Sequence, residues 1–416
     1  MAEPVSASPF ATSPLLANPA LQANPYLLYA TLRSNNPVLR LPIPAETGAG
    51  VWLLTRHADV ESAFRDRRFS ANRRLSDVFR LYSDQLPVAL LEGPGAVGSM
   101  LMMDPPEHTR LRGLVSKAFT PRRIAQLEPR IEALVDELVG EAAARGSFDL
   151  IHDVAEPLPA IVIAELLGVP AQDHRKFREW SQALIDGLPR FTPEGRDEMA
   201  QTLGVILDYM REAVALRRSQ PSDDLLSAMV EARDERDALS EKELLSTALL
   251  LLVAGHETTT NLIGNGTLAL ARNPAELERL RAHPTRVENA VEEMLRYDSP
   301  VQATVRVASE DIEVDGQQIG AGALVVLGIG AANRDPAAHP EPDRFDVARA
   351  DVRHLSFGLG THFCLGASLA RLEGRAYFAA LARSVKTLEL DVADEAVAYR
   401  ANPILRGVRE LPLRVR

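Results

Sequence analysis

Residues 357–366 read FGLGTHFCLG, and this stretch holds Cys364, the only cysteine among 416 residues. Its glycines Gly358, Gly360 and Gly366 allow the backbone to turn sharply and to approach a flat partner closely. The ten residues that start at Gly366, GASLARLEGR, predict a helix. Cys364 therefore lies near a helix N-terminus, where unpaired N–H groups and the helix dipole favour a thiolate.

A thiolate in this setting is a ligand for a soft metal centre or a nucleophile, whereas most free cysteines are simply small buried hydrophobic residues. A nucleophile needs a histidine base and usually a side chain that orients the base. His362 lies two residues from Cys364, but nothing nearby clearly orients it. The residues of this stretch leave these alternatives open.

The composition excludes several classes of function. A net charge of -11 disfavours nucleic-acid binding as a general mode, because the phosphate backbone would be repelled. A single cysteine cannot form an intrachain disulfide, which favours a reducing compartment and a cytoplasmic location. Residues 1–24 contain no lysine or arginine and predict a poorly ordered tail, not a signal peptide. The longest apolar run, residues 248–255, is far shorter than the ~20 residues that cross a bilayer.

Helical periodicity dominates the chain, so the sequence predicts a mainly α fold with small β-sheets at one side. Residues 126–145 and 284–297 carry apolar stripes at helical spacing. Residues 51–55 predict a strand, and residues 312–329 predict a hairpin with its turn near Asp315-Gly316. The last residues, ILRGVRELPLRVR, predict a further short strand pair.

One predicted helix is unusually long. Ser240 and Glu243 fit a capping box, and Pro274 provides a stop. About 32 residues lie between these signals, which is roughly 48 Å of helix. Residues 244–254 are apolar nearly all round, so this helix is expected to run through the centre of the molecule.

The stretch FGLGTHFCLG resembles the haem-binding loop of the cytochrome P450 family, F-G-x-G-x-H-x-C-x-G, at every fixed position. In that family a cysteine thiolate binds haem iron and favours O–O cleavage. The resemblance implies that Cys364 is the axial iron ligand, within a binding loop that includes Gly358 and Gly366. It also implies that Phe357 packs on the proximal side and that His362 reaches a haem propionate.

A second resemblance lies within the long helix, where Ala254 to Thr259 read AGHETT and the family has A-G-x-D/E-T. Gly255 weakens the helix by roughly 1 kcal/mol relative to alanine. Thr258 bonding back to a carbonyl is expected to help widen this turn and make room for dioxygen and water. Glu257 and Thr258 are then an acid and a hydroxyl that relay protons. A zinc-protease motif is excluded, because H-E-x-x-H needs histidine where Thr260 stands.

Two further motifs follow the family pattern. Glu293 and Arg296 match E-x-x-R, a buried structural pair that meets an arginine from a later loop, for which Arg344 is the matching position. His108 and Arg112 share one face of a helix that begins near Pro106. The resemblance assigns these two residues and Arg306 to the haem propionates, whose buried charge needs neutralising partners. Without the resemblance, Arg306 would be interpreted as an exposed strand residue.

These resemblances imply one cytochrome P450 domain over residues 25–416, with a long central helix over haem b (iron protoporphyrin IX). The expected function is a monooxygenase that inserts one oxygen atom of O2 into a lipophilic small molecule by hydroxylation or epoxidation. A terpenoid, steroid, fatty acid or polyketide is expected as the substrate. The alternatives are an H2O2-driven peroxygenase and a non-catalytic haem-binding sensor.

No flavin, NAD or iron–sulfur motif is present in the sequence, so the electrons are expected from a ferredoxin or flavodoxin with its reductase. The protein is expected to act as a monomer. A basic patch on the proximal face is the expected docking surface for an acidic redox partner, formed by Arg110, Lys117, Arg122, Arg123, Arg371 and Arg375. The substrate pocket is expected from residues 72–100, which include a mobile lid, together with 185–196, 253–254, 301–304 and 403–404.

Overall fold

The computed structural model describes residues 19–41, 50–82, 99–187, 193–234, 237–402 and 404–416. Within the predicted N-terminal tail, Pro19–Ala23 form a short helix. Arg406 donates hydrogen bonds to the carbonyls of Gln22 and Ala23. The rest of that tail lies outside the described residues, and so does the glycine- and proline-rich part of the predicted lid, Pro87, Gly93, Pro94, Gly95 and Gly98.

The described helices account for most of the ordered chain. In chain order they are α1 (Pro19–Ala23), α2 (Tyr26–Asn35), α3 (His57–Arg65), α4 (Asp77–Tyr82), α5 (Glu107–Ala118), α6 (Pro121–Gln126), α7 (Glu128–Arg145), α8 (Pro157–Leu166), α9 (His174–Gly187), α10 (Pro193–Ser219), α11 (Leu225–Glu231), α12 (Glu241–Arg272), α13 (Pro274–Ala282), α14 (Val287–Tyr297), α15 (Ile329–Ala332) and α16 (Ala367–Ser384).

The strands are short and form small sheets. They are β1 (Val38–Arg40), β2 (Val51–Leu54), β3 (Phe69–Ser70), β4 (Ser147–Asp149), β5 (Arg233–Asp234), β6 (Asp237–Ala238), β7 (Thr304–Ala308), β8 (Ile312–Val314), β9 (Gln317–Ile319), β10 (Leu324–Leu327), β11 (Leu388–Leu390) and β12 (Pro412–Val415). The largest sheet has the order β1-β2-β10-β7-β3, and a second has the order β11-β12-β4. This architecture confirms the mainly α prediction with small sheets.

Helix α12 is the predicted long helix, and its 32 residues are framed by the predicted signals. The Glu243 N–H donates to Ser240 Oγ at 3.3 Å, and the Ser240 N–H donates to the Glu243 carboxylate at 2.8 Å. Most of the helix is buried, and it packs against α8, α14 and α16. A Cβ added at Gly266 would lie 2.5 Å from the Phe378 ring, so glycine allows α16 to approach closely.

The local strand predictions have mixed outcomes. The Asp315-Gly316 turn joins β8 to β9 with φ values of 51° and 74°, as predicted. The predicted strand pair at the C-terminus is wrong, because only β12 is a strand there and it pairs with β11 and β4. The preceding chain instead turns its arginine inward, where Arg406 Nε lies 2.6 Å from the Asp298 carboxylate.

The E-x-x-R pair is buried as expected, but its loop partner is a different arginine. Arg296 donates to both Glu293 oxygens at 2.7 and 2.9 Å. Arg349, not Arg344, reaches the same carboxylate, with Nε 3.1 Å from each oxygen. The Arg344 side chain is 53% exposed and pairs with Glu341 and Asp346. The loop presents only the Arg344 carbonyl inward, where it accepts from Arg296 at 3.3 Å.

Candidate active site

The cysteine loop is shaped by its glycines before it enters α16. Gly358 and Gly360 have φ values of 65° and 68°, which strongly favour glycine. A Cβ at Gly360 would lie 2.9 Å from the Phe64 carbonyl oxygen. Gly366, in contrast, has an ordinary φ of -85° and forms the N-cap of α16. The Cys364 N–H donates to the Phe357 carbonyl at 2.9 Å, which closes the loop.

The Cys364 thiol is exposed, yet the surrounding protein is dense enough to raise its pKa by desolvation. A side chain that is reached by solvent and still surrounded by protein lies in a recess. The backbone N–H of Gly366 and the charges of Arg112 and Arg371 oppose this shift but do not overcome it. The backbone N–H at the helix N-terminus thus acts in the predicted direction, but desolvation outweighs it in the protein by itself. A metal would complete the deprotonation, since coordination removes a thiol proton outright.

Helix α5 brings two of the predicted binding residues to the cysteine loop. Arg112 Nη2 donates to the Phe363 carbonyl at 2.6 Å. His108 is buried, and its ring centroid lies 4.1 Å from that of His362. Burial and the neighbouring His108 and Arg306 lower the pKa of His362 to about 4. Burial and Arg112 lower the pKa of His108. The structure thus assembles His108, Arg112 and His362 as predicted.

Arg306 joins this group from β7 and is buried rather than exposed. Its guanidinium lies 5.7 Å from the Phe64 ring centroid. Burial and the nearby Arg73 lower the pKa of Arg306 to about 10, while Asp104 acts in the opposite direction. Sequence reasoning missed Arg73, whose pKa is lowered by burial. It stands in the polar run NRRL, which has no pattern to distinguish it from a surface arginine.

We call His108, Arg112, His362, Arg306 and Arg73 the cation cradle. Within the described chain, no hydrogen-bond partner reaches either ring nitrogen of His108 or Nε2 of His362. Buried polar atoms are normally satisfied, so orphaned donors indicate a ligand with acceptors. Two carboxylates would supply acceptors and would raise the depressed histidine pKa values. The residues present therefore fit a haem, whose propionates the cation cradle would hold.

The AGHETT residues lie in the middle of α12. The Thr258 hydroxyl donates to the Ala254 carbonyl at 2.8 Å, as predicted. The helix nevertheless continues through this turn without a break, so the widened turn that was predicted is not seen. Ala254 is exposed and Thr258 is half-exposed, although the neighbouring His256 and Glu257 are buried. One face of the helix at Ala254 and Thr258 is thus open beside Gly255, while the other lies in the protein interior.

Glu257 has partners that sequence reasoning missed. Asn261 Nδ2 donates to its carboxylate at 3.3 Å, and Arg400 Nε lies 3.7 Å from the same oxygen. Arg400 also donates to Glu156 at 2.6 Å. Arg400 is a lone arginine in the segment AYRANP, 143 positions from Glu257, so no local spacing could reveal this contact.

Phe357, at the start of the cysteine loop, packs against the charged side chain of Arg371. The Arg371 guanidinium lies 4.5 Å from the Phe357 ring centroid. Arg371 donates to both oxygens of Glu292 at 2.7 and 2.8 Å, and His354 reaches Glu292 at 3.1 Å. The predicted contribution of Arg371 to a basic docking patch is thereby largely neutralised, and Phe357 is clamped beside the loop.

Parts of the predicted substrate pocket lie outside the described residues, namely 83–98, 188–192 and 403. Val253, Ala254 and residues 301–304 are described, and of the last group only Thr304 lies in a strand, β7. No helix in the described ranges is long and apolar enough to span a membrane.

Comparison with known proteins shows to which family the chain belongs. A sequence model of the cytochrome P450 family matches residues 78–396. The vitamin D(3) 25-hydroxylase of Pseudonocardia autotrophica is 43% identical over 394 residues, which cover 94% of this chain and 93% of that protein. The cytochrome P450 monooxygenase PikC of Streptomyces venezuelae is 42% identical over 399 residues, which cover 95% and 92%.

A solved structure extends the agreement to the fold. The myxobacterial cytochrome P450 CYP267B1, in complex with myristic acid, superposes with a TM-score of 0.88 at 39% identity, covering 97% of this chain and 99% of that one. The predicted P450 fold is confirmed by this similarity and by the helical architecture around α12. The chain belongs to the cytochrome P450 family, whose members are haem-iron monooxygenases.

Proposed function

We propose that this protein is a haem b monooxygenase that inserts one oxygen atom of O2 into a lipophilic small molecule, with electrons from a separate redox protein. The observation that carries this proposal is the donor set around Cys364. The exposed Cys364 thiol lies beside a glycine turn, next to His108 and His362, each of which has a ring nitrogen without a hydrogen-bond partner in the described chain, and Arg306 is buried nearby.

In this proposal Cys364 supplies the thiolate ligand of the iron, and the cation cradle holds the two propionates. Arg112 is positioned for both roles, because it bonds the loop at Phe363 and its charge acts on Cys364. Phe357, Gly358 and Gly366 shape and pack the loop. Haem bound in this way supplies the activation of O2 by two electrons, which is chemistry that no side chain provides.

The chain's own contribution to the chemistry comes from Thr258 and Glu257. The Thr258 hydroxyl donates to the Ala254 carbonyl, so its oxygen remains an acceptor toward the open face of α12. Glu257 is 2% exposed and is held by Asn261 and Arg400. A buried acid next to a positioned hydroxyl can hold and deliver protons at the open face of α12 and limit access of other water.

A groove on α5 supports docking of an acidic redox partner. The groove encloses about 670 Å³ and its lining includes Arg67, Arg110 and Lys117. Three members of the predicted patch form ion pairs within the chain: Arg110 with Glu243, Arg123 with Asp223, and Arg375 with Glu288. The exposed side chains of Lys117 and Arg122 lie at the centre of the proposed surface. A ferredoxin or flavodoxin, with its reductase, is the proposed electron donor.

The substrate class is proposed from the relatives and from the apolar residues above the site. One relative is named for vitamin D(3), and one solved neighbour holds myristic acid. Val253 and Ala254 present small apolar side chains beside the relay residues. These features support a steroid-like, terpenoid, fatty-acid or polyketide substrate. Screening such compounds for a shift of the Soret band to the high-spin form would identify the class.

The alternative functions, a peroxygenase and a haem-binding sensor, differ from a monooxygenase in whether they need proton transfer by Glu257 and Thr258. A peroxygenase receives both oxygen atoms and protons from H2O2, so Glu257 and Thr258 would serve no need, and a sensor performs no oxidation. The test measures product from O2, NADPH and a surrogate ferredoxin system against product from H2O2 alone. Product that depends on O2 and electrons is expected. Product from H2O2 alone, or none from either with a substrate that shifts the Soret band, would overturn the proposal.

Three expectations from the sequence continue as proposals. Residues 25–416 act as one domain, the protein is a monomer, and it works in the cytoplasm. The single cysteine supports a reducing compartment. Sedimentation of the haem-loaded protein at several concentrations tests the monomer, and a mass that rises toward twice that of the chain would contradict it.

A further inference from the structure

Glu292 is the centre of a charged network that joins two helices to the cysteine loop. Arg371, on α16, donates to both Glu292 oxygens at 2.7 and 2.8 Å, and His354 lies 3.1 Å from one of them. Glu292 itself is on α14, and His354 lies three residues before Phe357. The Arg371 guanidinium lies 4.5 Å from the Phe357 ring centroid. The network therefore brings a cation against the first residue of the loop.

The hydrogen bonds of His354 fix the net charge of this network. The Ser356 N–H donates to His354 Nδ1 at 3.2 Å, so Nδ1 carries no proton. The His354 side chain is 3% exposed and is neutral in this arrangement, with its Nε2–H donating to Glu292. The charges that remain are one positive charge on Arg371 and one negative charge on Glu292, and they cancel.

This charge balance reaches Cys364 in two ways. The Phe357 carbonyl accepts the Cys364 N–H at 2.9 Å, so the residue that stacks on Arg371 also holds the backbone of the cysteine. The positive charge of Arg371 acts on the thiol through space and favours its thiolate form. The Arg371 side chain is 34% exposed, so solvent weakens this effect without removing it.

We propose that Glu292 keeps the reduction potential of the iron bound by Cys364 low, because it cancels the positive charge of Arg371. This inference rests on the proposed function, since it needs Cys364 as the iron ligand. Reduction adds one electron to the haem site, so a nearby positive charge favours the reduced form and a negative charge opposes it. Glu292 and Arg371 are positioning residues, because both act on the iron through Phe357 and Cys364.

The same two helices carry a second ion pair that is a matched control. Arg375 Nη1 lies 2.9 Å from Glu288, and both residues are four positions from their counterparts Arg371 and Glu292. The ion-pair partners of Arg375 in the described chain are Glu288 and Glu128, neither of which belongs to the cysteine loop. This pair thus joins α14 to α16 without contacting Phe357.

The test is a spectroelectrochemical titration of the haem-loaded protein without substrate or redox partner. Glu292→Gln leaves Arg371 uncompensated, so the equilibrium constant for one-electron reduction should rise about three- to tenfold, which corresponds to about 30–60 mV. Arg371→Gln leaves the carboxylate uncompensated, and the constant should fall by a similar factor. The double variant has no net charge and should return to within about twofold of the wild-type constant. Glu288→Gln should also stay within about twofold.

The signs of the two shifts separate a role in charge from a role in shape. A network that only held Phe357 in place would shift both single variants in the same direction, and the double variant would not recover. Arg371→Lys adds an independent check, because it keeps the charge and loses the bidentate geometry. Its constant should stay within about twofold of the wild type.

The outcomes also distinguish this inference from the proposed function. Shifts of equal sign, or equal constants in Glu292→Gln and Glu288→Gln, would overturn the role of Glu292 and leave the monooxygenase intact. If Glu292→Gln does not retain haem, a changed constant in Arg371→Lys has the same meaning. Wild-type protein that binds haem but forms no thiolate-ligated ferrous–CO species would instead overturn the proposed function, and the role of Glu292 with it.

Discussion

Two clusters of positive charge, the E-x-x-R network and the cation cradle, differ in how their charge is satisfied. Arg296 is 0% exposed, yet it donates to both Glu293 oxygens and to the carbonyls of Asn333, Pro342 and Arg344. In the cation cradle, no salt bridge to Arg306 or Arg73 occurs within the described ranges, and burial depresses the pKa of each.

The difference separates structural residues from binding residues. A buried charge that the chain itself satisfies stabilises one arrangement of the backbone, here the loop that carries Arg349. A buried charge without a partner costs free energy until a ligand supplies the opposite charge. The cradle is therefore assigned to a ligand, whereas the E-x-x-R network is assigned to the fold.

The largest expected effect is a loss of stability when the network of Glu293, Arg296 and Arg349 is disrupted. Replacing Glu293 by glutamine leaves Arg296 and Arg349 without their carboxylate, and the free energy of unfolding should fall by about 3–5 kcal/mol. Urea unfolding of the haem-loaded protein measures this change. Arg344→Ala is the matched control, because its exposed ion pairs are each worth about 0–1 kcal/mol. Equal losses in both variants would contradict the distinction between Arg349 and Arg344.

The pH dependence of stability gives a second test of the difference between satisfied and unsatisfied buried charge. The group to examine is the buried carboxyl group of Glu373. Burial raises its pKa to about 8, against 4.5 for the ordinary side chain. The folded state therefore binds a proton that the unfolded state has released, so the contribution of Glu373 to stability is lost as pH rises from about 4.5 to 8. Glu373→Gln should remove this dependence and stabilise the protein by on the order of 3 kcal/mol at pH 7.

Glu292 is the control, because its pKa is shifted in the opposite direction to that of Glu373. Arg371 and His354 overcome its desolvation and lower its pKa to about 2. Its contribution to stability is present above about 4.5 and is lost as pH falls toward 2. Unfolding midpoints from pH 4 to 9 should therefore lose their downward slope above pH 5 in Glu373→Gln and keep it in Glu292→Gln. An unchanged slope in the first variant would show that Glu373 is ionised in the folded protein.

Changes in the cradle should weaken haem binding without weakening the fold. Arg306→Gln removes the guanidinium that is proposed to bind a propionate, so the rate of haem loss to a haem-scavenging apoprotein should rise about 10–100-fold. Arg73→Gln should act in the same direction. The unfolding free energy of the haem-free chain should be unchanged or higher, because an unpaired buried charge is gone. If the unfolding free energy of the haem-free chain falls and haem retention is unchanged, Arg306 is a structural residue and does not bind haem.

The smallest effect is expected at the proposed docking groove. Lys117→Gln should slow reduction by an acidic ferredoxin about two- to fivefold at low salt, and the difference should disappear at high salt because exposed charges are screened. Stopped-flow reduction at two salt concentrations measures this. Arg145→Gln, at the end of α7, is a control surface cation. A Lys117 effect that persists at high salt would indicate a local structural change instead.

Local signals predicted much of this molecule. Ser240 and Glu243 marked the start of α12, and the spacing of His362, Cys364 and the glycines identified the loop and its family. Contacts between distant segments could not be predicted in the same way. Arg344 and Arg349 lie five positions apart in one loop, and the fold of that loop, which includes Glu341 at a φ of 46°, determines which of them faces Glu293. Arg73, Glu156 and Arg400 meet their partners only through packing of separate elements.

The most direct test of the account replaces Cys364 by alanine and records the spectrum of the reduced protein with carbon monoxide after haem is supplied. The wild-type protein should form the thiolate-ligated ferrous–CO species. The variant should not form it, and the cation cradle should still retain some haem, because His108, Arg112 and Arg306 are unchanged. If the thiolate-ligated species survives in Cys364→Ala, the only cysteine is not the iron ligand and the proposed site is wrong.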